Sequence, residues 1–170
     1  MIVEKLESAA EQLLARLNVR EVPTPIEEIA RALDILISRA PSAEFSGLLI
    51  RKNGRALIGV NSSEAPVRQR FTIAHEIAHF ILHPQKDAFV DFRKETNEGE
   101  VKPPRERHAD MFAAALLMPR KSLLRDFRRL AKDSYTEQQI KQITVALARG
   151  YAVSEDAMRF RLINLNSLLR

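Results

Sequence analysis

The sequence feature that most restricts the fold is an Asn-Gly pair, Asn53-Gly54, which lies between two apolar runs. The runs extend from Ser46 to Arg51 and from Arg55 to Val60. Both central residues of a type I′ turn need a positive φ, and Asn-Gly meets that need best, so the pattern predicts a β-hairpin. The β-branched run Ile35-Leu36-Ile37 predicts a further strand. We therefore expect a small sheet of about three strands, with one hairpin, within residues 35–61.

Helical periodicity governs most of the remaining chain. Apolar residues recur every three or four positions in residues 1–34, 65–83 and 105–165. In the first of these segments, Thr24 precedes Pro25 and Glu27, which predicts that Thr24 caps the second helix. Residues 85–104 are charged, contain adjacent prolines and lack a clear period, which predicts a mobile loop. Two helices, a small sheet and then further helices indicate the α+β class.

The composition narrows the kinds of site that this chain can build. Its 170 residues are expected to form one domain, 1–170. The absence of cysteine excludes a disulfide scaffold, a thiol nucleophile and a thiolate-ligated metal. The longest apolar run, Met111 to Met118, is eight residues long, whereas a membrane helix needs about 20. We therefore expect no membrane span and a cytoplasmic location, and any metal site must use His, Asp or Glu.

The positive charge is concentrated in one segment. The net charge is +5, and residues 119–132 carry six cations against the single anion Asp126. A basic helix of this kind could contact nucleic acid or an acidic protein through Arg120 to Lys132. The preferred interpretation is a solvated helix face whose apolar residues, Leu123, Leu124, Phe127 and Leu130, turn inward.

The most informative motif is His-Glu-x-x-His at residues 75–79, in the middle of a predicted helix. Residues four apart lie about 5–6 Å apart on one helix face, so the imidazoles of His75 and His79 can converge on one zinc ion. Glu76 projects about 100° away from His75 around the helix axis. From there it can reach a metal-bound water, but it cannot bind the same ion together with the two histidines. The spacing therefore predicts two metal ligands and an adjacent general base.

A catalytic zinc ion needs a third protein ligand and one open position. His83 lies about 12 Å along the helix from His75, so one ion cannot bind both, and we interpret His83 as a helix C-terminal residue. The next helix offers Glu106 and Asp110 on one face and His108 on the other. Glu106 is the preferred third ligand, with Asp110 accepting the second N–H of a ligating histidine, and His108 is the alternative ligand.

Two blocks of this sequence resemble the ImmA/IrrE family of zinc metallo-endopeptidases. The first block, RFTIAHEIAH at residues 70–79, resembles the zinc helix of the family. The second block, ERHADMFAAALLMP at residues 106–119, resembles its Leu-Leu-Met-Pro helix. Including weaker similarity around the hairpin and near the C-terminus, the resemblance extends over about residues 20–165.

The resemblance implies a gluzincin-like fold, in which a small sheet packs against a mostly helical, zincin-like metalloprotease domain. It implies that His75, His79 and Glu106 ligate zinc, that Glu76 is the catalytic base and that Asp110 supports a ligand from outside the metal shell. It also implies a protein substrate, commonly a helix-turn-helix repressor of a stress circuit or mobile element. The same ligands also suit Mn²⁺ or Fe²⁺.

Peptide-bond hydrolysis is the preferred functional interpretation. Glu76 would take a proton from water and pass it to the leaving amine, and the hairpin would offer an edge strand to an extended substrate. Tyr151, Tyr135 and His108 are the candidates for stabilising the oxyanion. Residues 85–104 are a candidate lid.

Two alternatives involve no catalysis. In the first, the metal is structural and the protein sequesters a repressor without cutting it. In the second, the basic segment binds nucleic acid directly, which predicts an affinity that falls steeply with salt. A structural metal site leaves Glu76 without a purpose, so the motif favours hydrolysis.

Overall fold

The computed structural model describes residues 2–92, 102–131 and 136–168, without the side chains of residues 91, 92 and 166–168. Seven helices and four strands lie in these ranges. They are, in chain order, α1 (Ile2–Arg16), α2 (Ile26–Ala32), β1 (Ile35–Ala40), β2 (Phe45–Lys52), β3 (Arg55–Asn61), α3 (Pro66–Leu82), β4 (Ala88–Phe92), α4 (Pro104–Leu117), α5 (Arg120–Leu130), α6 (Glu137–Tyr151) and α7 (Glu155–Leu168). The α+β prediction is confirmed.

The predicted hairpin is present. Strands β2 and β3 pair antiparallel, with Lys52 opposite Arg55. Asn53 and Gly54 have φ values of 52° and 74°, so both turn residues adopt the left-handed conformation that the Asn-Gly pair predicted. Strand β1 adds to the hairpin by pairing parallel with β3.

Within the described ranges the sheet has four strands, in the order β1-β3-β2-β4, rather than the three expected. Strand β4 lies within the segment predicted as a loop and pairs antiparallel with β2. Both hairpin strands are therefore internal, and the expectation that the hairpin supplies an edge strand was wrong. Among the described strands, β1 and β4 form the edges of the sheet, because β3 and β2 lie between them.

The core lies between the sheet and α3, and between α3 and α4. Leu49 and Ile58 of the sheet and Ile73 and Ile77 of α3 have no exposed surface. Both α3 and α4 also carry fully buried alanines, whose small side chains let the two helix backbones lie close together. These buried alanines are Ala74, Ala78, Ala109 and Ala113. This packing directs one face of α4 toward the middle of α3.

The basic segment forms α5 with a partly buried apolar side. Leu123 is fully buried, as the preferred interpretation predicted, but Leu130 is 46% exposed. Asp126 accepts hydrogen bonds from both Arg125 and Arg129, so two of the cations are engaged with the one anion of the segment. None of the helices described here is long and apolar enough to cross a lipid bilayer.

Candidate metal centre

The motif histidines lie in the middle of α3, with their rings buried beneath α4. His75 is 4% exposed and His79 is 1% exposed. Their Nε2 atoms lie 3.0 Å apart, as expected for side chains one helical turn apart on the same face. Two buried ring nitrogens this close need a shared proton or cation between them.

Glu106 approaches the two histidines from the first turn of α4. Its Oε2 atom lies 3.2 Å from Nε2 of His75 and 3.1 Å from Nε2 of His79. All three ligand atoms lie within 4.8 Å of one another. Donors on a tetrahedral zinc ion at about 2.0–2.1 Å would lie about 3.3 Å apart, so the observed spacing fits one ion with one position left open.

Asp110 lies one turn further along α4 and contacts the other side of His75. Nδ1 of His75 donates to Oδ1 of Asp110 at 2.9 Å, which directs Nε2 of the same ring toward Glu106 and His79. The second oxygen of Asp110 accepts a hydrogen bond from Nζ of Lys102 at 2.8 Å. The carboxylate is thus held from both sides.

Hydrogen bonding sets the charges of this cluster. Burial lowers the pKa of His75, but its hydrogen bonds to Asp110 and Glu106 outweigh burial and raise the pKa to about 10. Hydrogen bonds from His75 and His79 hold the pKa of Glu106 well below its usual range. Burial raises the pKa of Asp110, but hydrogen bonds from His75 and Lys102 leave it below its ordinary value. Without a metal, His75 is therefore a cation between two carboxylates at neutral pH.

Glu76 is completely buried beside the first histidine of the motif. Strand β2 passes directly over it at Gly47. A Cβ atom built on Gly47 would lie 3.1 Å from Oε1 of Glu76 and 2.3 Å from Cγ2 of Thr72. The close approach of strand and helix therefore requires glycine at this position.

Phe89 on β4 is a neighbour of the cluster that the sequence analysis missed. Its ring stacks on His79, with centroids 4.1 Å apart and an angle of 16° between the planes. The alternating pattern of Ala88-Phe89-Val90 was a weak strand signal within a segment read as a loop. Phe89 is 7% exposed and therefore shields His79 from water.

The remaining candidates lie outside the cluster of ligand atoms found among the described residues, which contains neither His83 nor His108. His83 follows the last residue of α3, and burial, together with His79 and Lys86, lowers its pKa. The buried hydroxyl of Tyr151 donates instead to Oδ2 of Asp126 at 2.8 Å. Tyr135 lies outside the described residues.

Two histidines one helical turn apart, the buried Glu76 between them and a carboxylate from a second helix define a metallopeptidase of the His-Glu-x-x-His class. Comparison with known families agrees with that class. The family model for peptidase M78, described as the IrrE N-terminal-like domain, matches residues 30–163. The chain belongs to this family, as the resemblance of its two sequence blocks predicted.

Two curated relatives share a shorter segment with this chain. The radiation response metalloprotease IrrE of Deinococcus deserti is 41% identical over 63 residues, which is 37% of this chain and 22% of that protein. The protein of the same name from Deinococcus radiodurans is 44% identical over 64 residues, which is 37% of this chain and 19% of that protein. Each similarity thus spans about a fifth of the relative.

Proposed function

We propose that this protein is a zinc-dependent endopeptidase that hydrolyses a peptide bond in a protein substrate. The observation that carries the proposal is the convergence of Nε2 of His75, Nε2 of His79 and Oε2 of Glu106 next to the buried Glu76. We infer that the first three residues hold the metal and that Glu76 is the base. Membership of a peptidase family supports the same reaction.

A zinc ion held by these ligands would act as a Lewis acid toward water and the scissile carbonyl. The chain's own residues then handle the protons. The Glu76 carboxylate takes the proton of the attacking water and delivers it to the leaving amine. Asp110 keeps its hydrogen bond to His75, so the ring holds its orientation throughout. Phe89 covers His79 and limits the access of bulk water.

The substrate that we propose is a helix-turn-helix transcriptional repressor in a stress or mobile-element circuit. The name of the two curated relatives, radiation response metalloprotease, supports the stress circuit. The repressor is what the resemblance of the two sequence blocks implies. Because each similarity spans about a fifth of those proteins, the substrate is an inference for this chain. We further propose that the protein acts in the cytoplasm, where such repressors are found.

The test compares the variant Glu76→Gln with the control variant Glu28→Gln. Glu28 is an exposed residue of α2 and is not part of the motif. Loss of the proton acceptor should lower the rate of peptide cleavage by about 10²–10⁴-fold, while zinc content stays at one equivalent. Cleavage is measured with a mixture of quenched fluorescent peptides, and zinc by elemental analysis. A zinc-loaded Glu76→Gln protein that cleaves at the parental rate would disprove the proposal.

A further inference from the structure

An apolar cavity is lined in part by Asp110, the residue that contacts His75 of the metal centre. It occupies about 770 Å³ between α1, α3, α4 and α7. Its apolar walls are formed by Val3, Leu6, Phe71, Met111, Ala157 and Phe160. Phe160 is 59% exposed, so its ring is accessible to a ligand at the cavity. This volume is within the range of pockets that bury most of the surface of a drug-sized ligand, which is about the size of a few amino-acid side chains.

The cavity shares structural elements with the metal centre. Phe71 lies one helical turn before His75 on α3, so the two side chains are neighbours on one helix face. Asp110 lines the cavity and accepts the hydrogen bond from Nδ1 of His75. A peptide seated in the cavity would therefore lie within a few residues' reach of the metal ligands.

The rim of the cavity is cationic. Three exposed cations, Arg68, Lys102 and Arg107, line it, and Arg68 lies 3.7 Å from Glu64. The lining also includes the buried Arg161 and the carboxylates of Glu7 and Asp110. Both carboxylates are already engaged, because Arg161 donates to both oxygens of Glu7 and Asp110 binds His75 and Lys102. Arg107 is exposed, and within the described ranges no carboxylate lies close enough to form an ion pair with it. The rim can therefore attract a negative charge that the protein does not itself supply.

We propose that this cavity recognises the substrate, by binding a polypeptide segment with a large apolar side chain next to an acidic side chain. The apolar residue enters between Phe71, Met111 and Phe160, and the acidic residue meets Arg107 at the rim. This inference rests on the proposed endopeptidase function and specifies its substrate class. The match between a cationic rim and an acidic residue is what selects this occupant over a wholly apolar one.

The test uses three labelled twelve-residue peptides of Ser and Gly that differ only in a central pair, Phe-Glu, Phe-Lys or Ala-Glu. Binding to zinc-loaded Glu76→Gln protein is followed by fluorescence anisotropy, because this background leaves the peptides intact. The Phe-Glu peptide should bind at least about tenfold more tightly than either of the others. Equal binding of the three peptides would overturn the inference.

Two variants locate the binding at the cavity. Arg107→Glu should reverse the preference between the Phe-Glu and Phe-Lys peptides. Phe160→Ala should weaken binding of the Phe-Glu peptide about tenfold. Their matched controls are Arg128→Glu on α5 and Ile140→Ala on α6, both at exposed positions away from the cavity. If the cavity variants behave like these controls, the inference is wrong.

Cleavage of the same peptides by the wild-type protein separates this inference from the proposed function. If the peptides bind with the predicted preference but are never cut, the result supports peptide binding in the cavity and contradicts the proposed endopeptidase function. Peptides that are cut at equal rates, whatever their central pair, would support the endopeptidase and contradict the cavity.

Discussion

Nδ1 of His75 donates a hydrogen bond of 2.9 Å to Oδ1 of Asp110, and this contact joins the middle of α3 to the second turn of α4. It leaves Nε2 of the same ring facing Glu106 and His79. The contact thus orients one ring nitrogen outward to a carboxylate and the other inward to the predicted metal position. Such a partner raises the basicity of a ligating imidazole and restricts its rotation.

Replacing Asp110 by alanine should weaken zinc binding about 10–100-fold, because the His75 ring loses the partner that orients it. Affinity is measured by competition with a chelating dye. The control is Lys102→Met, which removes the other partner of Asp110 and leaves the bond to His75 in place. An Asp110→Ala protein with parental zinc affinity would show that the contact does not support the ligand.

Zinc binding should release about one proton per ion at pH 7.5. The pKa of His75 is about 10 without metal, so its Nε2 carries a proton that the metal must displace. Affinity should therefore rise with pH, up to about tenfold per unit, and level off near pH 10. Calorimetry in buffers of different ionisation enthalpy counts the released protons. A binding enthalpy independent of the buffer would contradict this prediction.

The same raised pKa predicts how the metal-free protein responds to pH. A histidine whose folded pKa lies above the unfolded value of 6.5 contributes its full stabilisation below that value and loses it as the pH rises through 10. The melting temperature of metal-free protein should therefore fall between pH 7 and 10. The melting temperature of zinc-loaded protein should fall less over this pH interval, since its His75 carries no proton on Nε2. Parallel declines of the two forms would count against the assignment.

Local rules were enough to predict the parts of the site that lie close together in sequence. The four-residue spacing of His75 and His79 determines their common helix face, and the φ requirement of Asn53-Gly54 determines the hairpin. Both features depend on fewer than about ten consecutive residues, so no knowledge of distant packing was needed.

Features that depend on distant packing were harder to predict. Thr24 was expected to cap α2, but its buried hydroxyl donates to the carbonyl oxygen of Leu116, 92 residues away. Strand β4 was missed because it pairs with β2, and the whole of α3 separates these two strands in the sequence. The choice between Glu106 and His108 likewise depends on which face of α4 packs on α3, which the sequence of α4 alone does not determine.

Gly47→Ala should reduce the turnover number of the proposed hydrolysis while changing KM and zinc content little. The new methyl group would overlap Cγ2 of Thr72 and press on the Glu76 carboxylate, so the proposed general base would move. Overpacking of this kind also costs about 1–3 kcal/mol of stability. Adding Thr72→Ser, which removes the overlapping methyl group, should restore much of both losses.

The control for Gly47 is Gly150→Ala in α6, where an added Cβ has nothing within 4 Å. Alanine in a helix is favoured over glycine by about 0.5–1 kcal/mol, so this variant should be slightly more stable and equally active. Steady-state kinetics and thermal unfolding measure both effects. If Gly47→Ala keeps the parental turnover number, the strand does not position Glu76.

Tyr151→Phe should destabilise the fold by about 2 kcal/mol without affecting zinc binding or catalysis. The hydroxyl of Tyr151 is buried and donates to Asp126, and burial together with this hydrogen bond raises the pKa of Tyr151. Removing it deprives an ionised carboxylate of one hydrogen bond, an interaction that typically contributes about 1.5–3 kcal/mol. Asp126 keeps its exposed partners Arg125 and Arg129, so α5 and α6 should still pack together.

Denaturant unfolding measures the loss of stability in Tyr151→Phe. Peptide cleavage measured below the unfolding transition tests whether this hydroxyl also stabilises an oxyanion. A variant that folds as stably as the parent but cleaves 100-fold more slowly would reverse the assignment and return Tyr151 to the catalytic machinery.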